Sequence, residues 1–192
     1  MPPAPETKPQ PASRPTLSSP IIVVNTPKAV EDKPLVARTA STRAMNSPAA
    51  MAAAGRTVYG MSTTIKIDNA IKSRYGIRYV YGTAGPNTYD CSGFVWSVFQ
   101  EAGVNFTRQS ARSIWAMSEP VYGDDRFKYG TLVFFNNLGH MGIVSDENGF
   151  YQASSSKGIT WSPFAGYWQS RIVGYRRLKP EFANIPIEDL NR

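Results

Sequence analysis

The chain predicts an α+β domain with helices first and an antiparallel sheet afterwards. Two observations carry that expectation. Apolar residues recur at helical spacing between residues 65 and 117, and five short β-type runs separated by turn residues follow between 131 and 178. A third observation sets the boundary: ten of the fifteen prolines fall before residue 49, so the packed part is expected to begin near residue 60.

Ile65, Ile67, Ala70 and Ile71 precede Tyr75-Gly76, which predicts a helix closed by Gly76. The segment Tyr79-Val80-Tyr81 runs into the Gly/Pro/Asn loop at 82–87. Asp90 is a suitable N-cap for a helix from Cys91 to about Ala102, with Phe94, Val95, Val98, Phe99 and Ala102 on one face and Gly103 as its stop. A shorter helix is expected from Ser110 to Met117. The predicted strands are Thr131–Phe135, His140–Ser145, Phe150–Ala153, Ile159–Trp161 and Arg171–Leu178. Asn136-Asn137-Leu138-Gly139 and Asp146-Glu147-Asn148-Gly149 supply the turns between the first three.

Residues 1–58 combine Pro, Ser, Thr, Ala and Lys with few aromatics. Such a stretch cannot bury enough apolar surface to offset its ordering entropy, and it reads as a disordered basic tail or linker. The domain is expected over 59–180, with a C-terminal extension at 181–192. Ile21-Ile22-Val23-Val24 is too short for a membrane span or for the apolar core of a secretion signal. The net charge is +7, and residues 1–60 hold seven basic and three acidic residues. That excess admits an anionic partner, such as the polymers of a bacterial wall. No dense Lys/Arg run marks a nucleic-acid groove.

The chemistry rests on two residues present once each. Cys91 lies in Tyr89-Asp90-Cys91-Ser92-Gly93, and His140 in Leu138-Gly139-His140-Met141-Gly142. One Cys and one His argue against a tetrahedral Cys/His zinc site, so no metal is expected. A thiol and an imidazole are the minimum for a cysteine hydrolase. Cys91 opens a helix, where free N–H groups and the helix dipole favour a thiolate; the alternative is a small buried apolar residue. His140 starts a strand, a rigid support for a base; the alternative is a structural or surface histidine. A base needs an acceptor on its second nitrogen. Across the Asp146–Gly149 turn, residues whose numbers sum to about 295 are opposed, which brings Gln152 within a few residues of His140. The alternative for Gln152 is a surface amide.

These blocks, with Tyr79-Val80-Tyr81-Gly82 and Tyr151-Gln152-Ala153-Ser154-Ser155, closely resemble the NlpC-type cell-wall peptidases over about residues 64–178. The resemblance implies a papain-like fold with the nucleophile at a helix N-terminus, and cleavage of D,L-bonds in peptidoglycan stem peptides without a cofactor. It implies Cys91 as nucleophile, His140 as base and Gln152 as the polar third member. It implies substrate-binding roles for Tyr79, Asp90, Ser92, Arg108 and Ser110. For Tyr79 the competing role is a core aromatic, and for Arg108 a solvated surface charge. Peptidoglycan is the implied partner, and the bacterial envelope, periplasmic or secreted, the implied location. Departures from the family pattern are Thr131 in Gly130-Thr131-Leu132, Thr83 after Gly82, and Ser113 where Gln is common.

Two other readings stand beside this one. A related papain-like amidase or acyltransferase acting on lipid acyl groups would commonly place its His before its Cys, the reverse of the order here. A non-catalytic wall-binding module would be expected to have lost the nucleophile or the base.

Overall fold

A computed structural model describes residues 47–179, and the expected tail up to residue 46 and the extension at 181–192 lie outside the described residues. Four α-helices come first: α1 (Pro48–Ala53), α2 (Met61–Arg74), α3 (Cys91–Glu101) and α4 (Ala111–Met117). Six strands follow: β1 (Glu119–Pro120), β2 (Leu132–Phe135), β3 (His140–Val144), β4 (Gly149–Ser154), β5 (Gly158–Pro163) and β6 (Ile172–Arg177). They form one antiparallel sheet in the order β1-β6-β2-β3-β4-β5. Short 3-10 helices cover Gly123–Phe127 and Gly166–Arg171. The α+β class is therefore as the sequence indicates, with helical periodicity in the first half and hairpins in the second. Among the described residues no helix is long and apolar enough to cross a membrane.

Residues 47–58, assigned by composition to the tail, carry local structure. Ser47 caps α1 through the N–H of Ala50, Pro48 occupies the first turn, and Met51 is buried. The backbone then pairs with Tyr129: Val58 N–H donates to Tyr129 O and Tyr129 N–H to Arg56 O. Six residues of Ala-rich helix give too short a periodic signal to stand out from the proline-rich residues before it.

Strand alternation divides the sheet into two apolar faces. Leu132, Phe134, Met141, Ile143, Ala153 and Ile159 join the buried faces of α2, α3 and α4 in the main core. Val133, Phe135, Val144 and Phe150 point the other way, into a smaller aromatic cluster with Phe164. α3 is the helix most enclosed by this arrangement: Phe94, Val95, Val98 and Phe99 are fully buried, each worth about 1.5–3 kcal/mol against exposure. Its N-terminus meets β3 where the chain emerges from the Asn136–Gly139 turn.

Candidate active site

Four hydrogen bonds accepted by the Asp90 carboxylate build the start of α3. Asp90 caps it by accepting from the N–H of Gly93 (2.6 Å) through Oδ1. Its Oδ2 accepts from the N–H of Gly82 (2.9 Å) and from Arg108 (2.7 Å). Arg108 also donates to Ser92 Oγ (3.0 Å), and Ser92 Oγ donates back to Asp90 Oδ1 (3.2 Å). The loop 82–90 closes on this cap: Asp90 N–H donates to Thr83 O, and a Cβ at Gly93 would overlap that same carbonyl. Gly93 is thus the residue that lets the loop lie against the helix.

Cys91 is the first residue of α3 and is 8% exposed. Backbone N–H groups of Ser92, Met141 and Cys91 itself favour its charged form. Burial, then the Asp90 carboxylate, push the thiol above its ordinary value of 9.0, and those N–H groups pull only partly back. Desolvation thus opposes the thiolate that the helix start favours.

His140 opens β3 and is half-buried. Its Nε2 lies 2.7 Å from Gln152 Oε1. On its other side the Gln152 amide donates from Nε2 to Ser162 Oγ (2.7 Å). Oε1 therefore faces the histidine as an acceptor, Nε2 of His140 carries the proton, and Nδ1 is left with the lone pair. β3 and β4 pair Ile143 with Tyr151 and Val144 with Phe150. Carried on, that register sets His140 and Gln152 one diagonal step apart on the same face, as the turn-based count indicates. Trp168 stacks on the imidazole (centroids 5.1 Å apart, planes at 19°), and Phe135 packs beside it. This desolvation lowers the imidazole below its ordinary 6.5, and the Gln152 bond opposes the shift without cancelling it.

Two adjoining hollows form the groove. One, over Cys91, is lined by Tyr81, Ser92, Arg108 and Leu138; the other, before His140, by Gln152, Ser154, Ser155 and Trp168. Tyr79 and Gly139 line both. Cys91 and His140 therefore face adjoining parts of one groove. Among the described residues no hydrogen bond joins the sulfur directly to the imidazole, so the direct bonding contact expected from the sequence is not made in this structure.

The other named residues fall around this centre. Tyr79 is half-buried beside the thiol, and burial, then Cys91 and Asp90, raise its phenol. Asp90, Ser92 and Arg108 form the network at the α3 start, and all three line the hollow alongside the thiol. Arg108 is neither a solvated charge nor a free cation, since its guanidinium is committed to Asp90 and Ser92. Ser110 caps α4 by accepting from Ser113 N–H and stands exposed at the groove edge.

Ser162 and Trp168 were not among the residues singled out in the sequence. Ser162 is a single serine on β5, and Trp168 lies in a 3-10 turn 28 positions after His140; neither carries a spacing signal. Arg112 at the Cys91 hollow, donating to Asn137 O (3.0 Å), was also passed over.

Comparison with known proteins places the domain in a family. A model of the NlpC/P60 family matches residues 76–177. Gamma-DL-glutamyl hydrolase of Bacillus subtilis is 37% identical over 123 residues, covering 60% of this chain and 29% of that protein. The probable endopeptidase p60 of Listeria grayi is 32% identical over 111 residues, covering 56% of this chain and 21% of its own length. The chain thus spans less than a third of either relative. Among solved structures, an NLP/P60 family protein of Staphylococcus aureus, described as similar to lipoprotein, matches with a TM-score of 0.53 and 28% identity over 64% of this chain and 43% of its own. The P60 domain of an antigen from M. avium subspecies paratuberculosis matches over 63% of this chain and 97% of its own, with a TM-score of 0.51 and 20% identity. That likeness concerns the fold alone.

Proposed function

The chain belongs to the NlpC/P60 family, and from that membership we propose that it is a cysteine endopeptidase of bacterial peptidoglycan stem peptides, with Cys91 as nucleophile, His140 as base and Gln152 as the residue that orients it. One observation carries the reading. Cys91 and His140 line adjoining hollows that share Tyr79 and Gly139, and Gln152 holds the histidine at 2.7 Å.

The chemistry starts from two neutral groups. Nδ1 of His140 takes the thiol proton as sulfur bonds to the substrate carbonyl carbon, and the carbonyl π pair moves onto oxygen. N–H groups at the start of α3, and Tyr79 above them, stabilise that oxyanion; removing one donor in comparable sites costs about 3 kcal/mol. The imidazolium, steadied by Gln152, returns its proton to the departing nitrogen as the C–N bond breaks. Water then gives a proton to His140 and its oxygen to the acyl carbon, and the thiol is regenerated.

The B. subtilis relative is named a gamma-DL-glutamyl hydrolase and others are named endopeptidases. These names support a γ-D-glutamyl acyl side, and the bond we favour is γ-D-glutamyl–diaminopimelate. They also support action at the cell wall, outside the cytoplasm. The basic, proline-rich stretch before residue 49 suits a spacer in an anionic polymer.

The test is digestion of purified peptidoglycan followed by mass analysis. Stem peptides cut at the γ-glutamyl bond, with unchanged glycan and no cutting by Cys91→Ala, are the expected result. Binding without release by the unaltered protein would leave the non-catalytic module instead.

A further inference from the structure

His140 reaches its place through a left-handed turn. β2 ends at Phe135, which pairs with His140 at the start of β3, and residues 136–139 join the two. Gly139 N–H closes the turn on Asn136 O (3.0 Å). Asn136, Asn137 and Leu138 have φ of 52°, 52° and 67°, and among the described residues they are the non-glycine residues with positive φ. A type I′ turn needs positive φ at both central residues, a demand that Asn followed by Gly meets at low cost. Here Leu138 stands second. In the left-handed region a Cβ crowds the following carbonyl oxygen, which the short polar side chain of Asn tolerates and a bulky one does not. Such a turn stays wound only where its surroundings hold it.

Three contacts reach it from outside. Asn136 N–H donates to Arg171 O (3.1 Å), at the end of the 3-10 segment that carries Trp168. Leu138 packs against the main core and walls the hollow over Cys91. From α4, the Arg112 guanidinium donates to Asn137 O (3.0 Å). Arg112 is exposed and is in no ion pair among the described residues. Its acceptor belongs to the peptide between Asn137 and Leu138. A flip of that peptide converts type I′ to type II′, in which the second central residue returns to negative φ. The flip would relieve Leu138 and would carry Asn137 O away from Arg112.

The sulfur and the imidazole make no direct hydrogen bond, so the elements that carry them set their approach. α3 carries Cys91, and the turn delivers His140. Gly139, the last residue of the turn, lines the hollows of both. We propose that Arg112 is a positioning residue for the base, on the peptidase reading above: its hold on Asn137 O blocks the flip at 137–138 and so keeps the imidazole of His140 in place beside the Cys91 hollow.

The chain has a single histidine, so the ring C–H resonances of untagged protein report His140 alone in a proton–carbon NMR spectrum. The imidazole stacks on Trp168 at 5.1 Å and 19°, and the indole ring current shifts those resonances upfield. Arg112→Ala should move them downfield. It should also lower kcat on a γ-glutamyl stem peptide by about tenfold, with KM changed less than about twofold, at temperatures where circular dichroism shows it folded. Arg112→Lys keeps a donor and should lose only about threefold. In a Leu138→Asn background the left-handed turn is tolerated without the guanidinium, so adding Arg112→Ala should cost less than about twofold and leave the resonances where that background has them. Resonances that stay put in Arg112→Ala, an effect on KM alone, or an equal loss of kcat in both backgrounds overturns the inference while the peptidase reading stands. If the unaltered protein cleaves no peptide, the resonances decide. Movement in Arg112→Ala that Leu138→Asn suppresses leaves the turn's hold on the imidazole standing and the peptidase reading fallen; no movement ends both.

Discussion

Arg108 reaches Asp90 across 2.7 Å and in doing so anchors the cap of the helix that carries Cys91. Asp90 is 5% exposed, and its two oxygens accept from Gly93, Gly82, Ser92 and Arg108. Removing the cation leaves a buried carboxylate beside the thiol without its countercharge. Arg108→Ala should therefore lower unfolding free energy by about 2 kcal/mol in chemical denaturation. Asp90 already pushes the Cys91 thiol up, so the same substitution should move the midpoint of thiol alkylation to higher pH. Arg108→Lys should recover only part of both, because an ammonium cannot reproduce the fork to Asp90 and Ser92. An unchanged midpoint would mean that the carboxylate's charge does not reach the sulfur.

The order of the two ionisations sets the pH behaviour. His140 lies below 6.5 and Cys91 above 9.0, so between those values both groups are neutral. Protonated His140 cannot accept the thiol proton, so kcat/KM should fall on the acid side with a midpoint below 6.5 and hold level from there towards pH 9. Alkylation of the free protein by iodoacetamide should be slow at pH 7 and rise only above pH 9. Fast alkylation near pH 6, or an acid limb that disappears on removing Cys91's neighbours while His140 stays, would point to a resting thiolate–imidazolium pair instead.

Gln152 is predicted to act through the tautomer of His140. Gln152→Ala frees the ring to exchange its proton between nitrogens and to rotate on Trp168, and kcat should drop by about a hundredfold with a smaller change in KM. Gln152→Glu supplies a carboxylate in the same place. It favours the imidazolium, so the histidine's ionisation should rise and the acid limb of the rate profile should move to higher pH. A limb that stays put in the Glu variant would place the ionisation on another group.

Much of this was legible in the chain, and the reasons differ by residue. α3 could be read because Asp90, the apolar face from Phe94 to Ala102 and Gly103 are all local signals. The His140–Gln152 relationship could be read because a tight turn fixes hairpin register arithmetically: the observed pairs sum to 294 against the expected 295. β1 could not, since two residues pairing with Arg176 and Arg177 leave no alternation to detect. Nor could the Arg108–Asp90 pair, because its partners are 18 positions apart across a helix and a loop whose path only the packing defines. The burial that opposes a thiolate at Cys91 was not legible for a related reason. Local position gives the dipole, but burial is a property of the assembled core.

Gly93 offers the sharpest test of how the loop at 82–90 supports the nucleophile. A methyl there would overlap Thr83 O, which lies 2.9 Å from the Asp90 N–H it accepts from. Neither partner is a flexible side chain tip, so backbone must move, and overpacking of this kind costs about 1–3 kcal/mol. The displacement acts on Asp90 directly, hence on the cap, on the Gly82 N–H bond and on the direction of the Cys91 side chain. Gly93→Ala should lose stability within that range and, unlike an ordinary core defect, lose kcat at temperatures where it remains fully folded by circular dichroism. Gly60→Ala is the matched control: no atom lies within 4 Å of a Cβ there, although the residue also starts a helix. It should cost at most about 1 kcal/mol as a lost N-cap glycine and leave kcat unchanged. Equal kcat in both variants under folded conditions would show that the loop's packing against α3 serves stability without orienting the thiol.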